Sequence, residues 1–132
     1  MPSATSNQLE SKGFNLAAGQ TVSKGRAVKL TTTPEEVTPV TAVTDKVIGI
    51  AVFDVSAAEL LRGKGVTAVV VGQAVMEASA AIAVGDLIAP SANGRAQVAV
   101  ATNRVIGEAM EAASGAGKYF KIHLTLPGTI LA

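Results

Sequence analysis

Apolar residues gather in two runs, VIGIAVF at 47–53 and VTAVVV at 66–71, with a short polar connection between them. The phrase returns later. NRVIGEAM at 103–110 echoes DKVIGIAV at 45–52, and SGAGK at 114–118 leads into residues 119–126 as 56–64 lead into 66–71. Ahead of each copy, Val22-x-x-Gly25-x-x-Val28 is matched by Ile82-x-x-Gly85-x-x-Ile88. Self-similarity of this kind governs how a chain folds. It predicts one strand–connection–strand unit used twice, over residues 18–72 and 78–127.

Within the first unit, Val28 and Leu30 alternate with polar or small neighbours, as in a half-buried strand. Residues 37–43 are β-branched but contain Pro39, which cannot donate to a ladder, so they predict an edge strand or an extended segment. Gly49, matched by Gly107, predicts a bulge or a close backbone approach. Ser56 and Glu59 have the spacing of a capping box, which predicts one or two helical turns over 56–62 ended by Gly63. Residues 66–71 are apolar on both faces and predict a central strand. Gly72 breaks it, and 74–76 resume it. In the second unit, Ala96, Val98 and Val100 share one face. Phe120, Ile122, Leu124 and Leu126 face inward, Tyr119, Lys121, His123 and Thr125 outward, and Pro127-Gly128 ends the strand.

Many short strands with frequent turn signals predict an all-β fold, a small β-barrel or β-sandwich with a pseudo-twofold repeat. Residues 1–17 are polar and without period apart from a few bulky positions. They predict a flexible arm ahead of one β domain over 18–132.

Composition sharpens this picture. The chain has 132 residues, 48% of them hydrophobic but only 3% aromatic, so its core must be Val, Ala, Ile and Leu. Such side chains bury less area each than aromatic ones, which points to support from partner surfaces. A net charge of +1 provides no field to steer the chain to nucleic acid or an anionic membrane. Cysteine is absent, which removes disulfide and thiolate chemistry. No signal pattern opens the chain, and no apolar run nears the roughly 20 residues of a membrane helix. A soluble protein is expected.

Catalytic chemistry finds little support. His123 is the only histidine and has no cysteine to share a metal with. Asp45, Asp54 and Asp86 lie near turns and read as turn residues. No G-x-S-x-G is present. Gly115, Gly117 and Lys118 lead into a strand, where a phosphate loop leads into a helix. Lys24, Arg26, Arg62 and Lys64 sit in or near turns and are candidates for a basic patch. No catalytic, cofactor-binding or metal-binding residue is expected. Thr44-Asp45-Lys46-Val47 resembles the hairpin of lipoyl carrier domains, so modification on Lys46 stands as an alternative. It departs from that pattern because Lys46 opens an apolar strand and Val43 replaces the usual acid.

The order of phrases resembles the capsid cement, or head decoration, proteins of tailed bacteriophages. The matching phrases are Ala18-Gly19, Val22 through Val28, Gly49-Ile50-Ala51, Ser56 through Ala58, Val66 through Gly72, IAVGDLI at 82–88, IGEA at 106–109 and 120–126. They span about 18–127. The turn at 59–62 is longer than the family's connection. The resemblance implies a non-enzymatic virion protein on the outer surface of the expanded capsid, bridging major capsid protein subunits, commonly as a homotrimer. From charge and motifs, no nucleic-acid or membrane partner and no cofactor is expected. The motifs of the resemblance are structural, with Gly25, Gly49, Gly72, Gly85 and Gly107 among them. Leu9, Phe14 and Leu16 are candidate capsid-binding anchors, carried by an arm that adds a strand to a coat-protein sheet. Another phage β interaction module is the remaining alternative.

Overall fold

The computed structural model describes residues 10–55 and 65–131. The expected helical turns at 56–62 and the candidate anchor Leu9 lie outside these residues. Strands β1 (Glu10–Leu16), β2 (Ala27–Leu30), β3 (Glu36–Pro39), β4 (Gly49–Ala51) and β5 (Val66–Val71) form a closed barrel in the order β1-β3-β2-β4-β5. Strands β6 (Gln73–Glu77), β7 (Leu87–Pro90), β8 (Ala96–Val98), β9 (Arg104–Ala109) and β10 (Tyr119–Ile130) form a sheet in the order β6-β10-β9-β7-β8. The fold is all-β, as the alternation predicts.

Followed the other way round, the barrel reads β1-β5-β4-β2-β3, the order of the second sheet with each strand replaced by its counterpart. The repeat extends to register. Val28 lies opposite Gly49, and Ile88 opposite Gly107. Ile50 lies opposite Val69, and Glu108 opposite His123. Phe14 lies opposite Val66, and Met76 opposite Phe120. Even the flanking bridges correspond, Val22 with Val55 and Ile82 with Ala113.

Gly49 and Gly107 show why the repeated phrase carries a glycine. A Cβ on Gly49 would stand 2.8 Å from the Val69 carbonyl oxygen, and one on Gly107 would meet the corresponding oxygen of His123. Close approach to the neighbouring strand is therefore the reason, as expected. Gly25, Gly72 and Gly85 instead hold positive φ angles of 79°, 94° and 89°, where a side chain is strained.

Three expectations are corrected. The first is the arm. Residues 10–16 form β1, paired in parallel with β3 and antiparallel with β5, and Phe14 and Leu16 are buried inside the barrel. The units therefore begin at their first strands, β1 and β6, ahead of the boundaries at 18 and 78. The second concerns β3, which is no edge strand, because β1 and β2 flank it. Pro39 is tolerated at its end, beyond the two residues that pair with β1. The third is the stop at Pro127-Gly128. β10 continues to Ile130 because Gly128, at φ 84°, absorbs an irregularity between Leu124 and Thr129.

The units interlock. In the first, Asn15 N–H donates to the Glu35 carbonyl and Ala17 N–H to that of Val37. In the second, Ser79 N–H donates to Ala96, matching Ala17, and a single parallel bridge joins Ala78 to Ala96. Glu77, the counterpart of Asn15, donates instead to Gly25 O, while Gly94 O accepts from Ala27 N–H. Residues 25–27 of the first unit thus occupy the seam that the second leaves open. One buried cluster fills the barrel around Phe14, Val28, Val37 and Val66. The larger one runs from Ile50, Val69 and Val47 through Met76, Ile88, Ile106 and Phe120, so it crosses both units.

Candidate functional site

The junction leaves a groove of about 550 Å³ on the surface. Ile50 and Ala51 of β4, Val69 of β5 and Ala74 of β6 are buried and form its floor. Val52, Val75 and Tyr119 form partly exposed walls, and Lys24, Gln73 and Lys121 complete the lining. Local sequence explains the shape. Gly25 lets its turn press against β6 and β10: a Cβ there would lie 2.9 Å from Tyr119 Cε1 and 3.0 Å from Glu77 N. Gly72 turns the chain from β5 into β6, so two strands that follow one another belong to different units.

β6 gives the groove a polar wall. Ala78 N–H points to β10, where it donates to Lys118 O, and Glu77 N–H points the opposite way, to Gly25 O. Strand alternation then aims the N–H and C=O of Val75 away from β10 and into the groove. Among the described residues neither group has a backbone partner.

The charges are placed unevenly. Lys24 Nζ stands 5.5 Å from the centre of the Tyr119 ring. Its backbone N–H donates to Asp54 Oδ1 at 2.7 Å. Lys121 N–H donates to Glu111 Oε1 at 3.0 Å. Among the described residues, neither lysine ammonium has a carboxylate within ion-pair distance. Arg26 is different. Its Nε donates to Glu77 Oε1 at 3.2 Å, while Arg95 Nε lies 3.0 Å from Glu77 Oε2, as an ion pair off the hydrogen-bonding direction. Glu77 is buried, so this triad is a clamp between β6, the 25–27 segment and the β8 entry.

The other sequence candidates are dispersed. Phe14 and Leu16 are 7% and 4% exposed, so these two proposed anchors serve the barrel interior. Lys24 and Arg26 do not share a basic patch, since Arg26 turns to Glu77; Arg62 and Lys64 lie outside the described residues. Asp54 and Asp86 are turn residues, accepting from the amides of Lys24 and Ala83. Asp45 accepts from Thr41 N–H, Ala42 N–H and Lys29 Nζ. Burial pushes its carboxyl up, but the two amides and the Lys29 ammonium outweigh that and hold it below its ordinary value. Lys46 follows this turn and is exposed. His123 is exposed on β10, opposite Gln73 and Glu108. Among the described residues no three His, Cys, Asp or Glu side chains gather as a metal site would require. Alternation along the last strand places Tyr119 and Lys121 outward, and both line the groove. The groove itself has no sequence signal, because β6 and the Gly25 turn meet only through the fold.

Among solved structures, the chain resembles the head fiber gp8.5 N base of bacteriophage phi29. The TM-score is 0.66 at 19% sequence identity, covering 95% of this chain and 100% of that one. The two share a fold. No protein-family model matches the chain, and no curated protein sequence matches it. The likeness spans both units of the repeat and resides in architecture, since at 19% identity most residues differ.

Proposed function

We propose that the protein is a non-enzymatic structural component of a tailed-phage head, bound to the outer surface of the expanded capsid. There it bridges major capsid protein subunits, as a homotrimer, and stabilises the shell. The observation that carries this reading is the likeness to a phage head fiber base over nearly the whole of both chains. The order of sequence phrases supports it independently. The small aliphatic core, with Val, Leu and Met side chains left half-exposed, suits a protein that completes its burial on a larger surface.

The mechanism needs no reaction. A protein that binds the assembled shell and not its dissociated subunits stabilises the shell by mass action. Many copies on one lattice hold it without strong single contacts. The test is the thermal release of DNA from filled heads with and without the protein. The reading expects the release temperature to rise with occupancy until sites saturate. An unchanged release temperature at saturating occupancy would remove the stabilising role.

A further inference from the structure

We infer that the groove between the units receives an extended, acidic peptide strand of the protein's partner, paired to the Val75 edge of β6. This rests on the head-binding reading and names the surface that performs it. Four features meet here. The Val75 N–H and C=O point into the groove without a backbone partner among the described residues. Adding a strand to such an edge satisfies both groups, and alternate side chains of the added strand then face the floor. That floor is apolar, made of Ile50, Val69 and Ala74. Lys24 and Lys121 in its lining have no ion-pair partner among the described residues, so complementary charge on the occupant is carboxylate. Tyr119, 46% exposed and stacked beneath Lys24, offers an amphipathic wall at little entropic cost.

The edge is short, because Glu77 is already bonded to Gly25. One site therefore binds weakly, and lattice avidity makes the attachment stable. A second copy of this chain is the competing occupant, and its signature is a change in oligomeric state.

Two measurements on the full chain test the inference. In the first, ¹⁵N-labelled protein is titrated with the blocked peptides EVEVE and KVKVK at millimolar concentration. The Val75 amide resonance is expected to shift saturably with EVEVE and to move at least tenfold less with KVKVK. No response to EVEVE, or an equal response to both, overturns the inference. In the second, wild type, Val75→Pro, Lys24→Glu/Lys121→Glu and Lys46→Glu are compared for binding to expanded coat shells from the same phage. Val75→Pro removes an N–H that makes no bond to β10, so the ladder survives. The charge reversal keeps the fold by leaving the backbone untouched.

Both groove variants are expected to lose at least tenfold in shell affinity, and Lys46→Glu, outside the groove, less than twofold. Wild-type binding with undiminished groove variants overturns the groove and leaves the head-binding reading standing. A Val75 response to EVEVE without shell binding by wild type does the reverse. A lower solution mass for the groove variants overturns the inference in favour of a second copy.

Discussion

Asp45 and Asn103 hold the same turn in the two repeats. Asp45 Oδ2 accepts the amides of Thr41 and Ala42, while Asn103 Oδ1 accepts that of Val100. Each residue's own N–H returns to the carbonyl three positions back, of Ala42 and Val100 respectively. The turns also meet, since Arg104 N–H donates to Val43 O and Arg104 Nε to Thr44 O. The second unit thus shows that a neutral amide suffices for the geometry. Asp45 adds an ion pair with Lys29 at 2.9 Å.

Replacement at this turn therefore has a graded cost. Asp45→Ala leaves two amides without their acceptor and is expected to cost about 1–2 kcal/mol. Asp45→Asn keeps an acceptor and is expected to cost less than about 1 kcal/mol. The pH dependence differs as well. A carboxyl whose folded pKa is depressed contributes stability above its unfolded pKa and loses it as pH falls through the folded value. From just below pH ~4 downward, wild type should lose stability more steeply than Asp45→Asn. Denaturant midpoints from pH 6 to 2 measure this; parallel curves would remove Asp45 from the acid response.

Gly49→Ala and Gly107→Ala should both destabilise, because each Cβ would be driven into a neighbouring carbonyl oxygen. Overpacking against backbone typically costs about 1–3 kcal/mol, and neither strand can yield alone. Thermal unfolding checks both. A neutral Gly107→Ala would contradict the shared register of the two units.

How far the sequence was legible follows from where its signals are local. Gly49 and Gly107, Val22 and Ile82, and the alternation of 119–126 are local, and their positions stand. The first strand of the first unit is not local. ESKGFNL is mostly polar with a central glycine, and it becomes a strand because β5 pairs with it. The strand expected to resume at 74–76 does so, as β6. Burial shows the same limit. Ile50 and Glu108 occupy equivalent positions, yet Ile50 is covered at the junction and Glu108 is exposed. Nothing near Glu77 in the sequence announces that Arg26 and Arg95 will enclose it.

Phe14→Ala separates the two roles considered for that residue. A buried phenylalanine truncated to alanine costs about 3–5 kcal/mol. The expected outcome is a large drop in melting temperature, with coat-shell affinity of the still-folded fraction unchanged at low temperature. Weakened affinity at unchanged melting temperature would restore Phe14 as an anchor.

Glu77→Gln tests the clamp between the units. It keeps the shape but leaves two partly buried guanidinium groups facing an amide, so a loss of about 1–3 kcal/mol is expected. Because the larger core crosses both units, unfolding should remain a single transition. Two resolved transitions in calorimetry would show that the units fold independently.

The most direct test of the central claim is co-sedimentation of the purified protein with compact and expanded coat shells from the same phage. The account expects saturable binding to expanded shells and at least tenfold weaker binding to compact ones. Absence of binding to either form, with the protein shown to be folded, would contradict it.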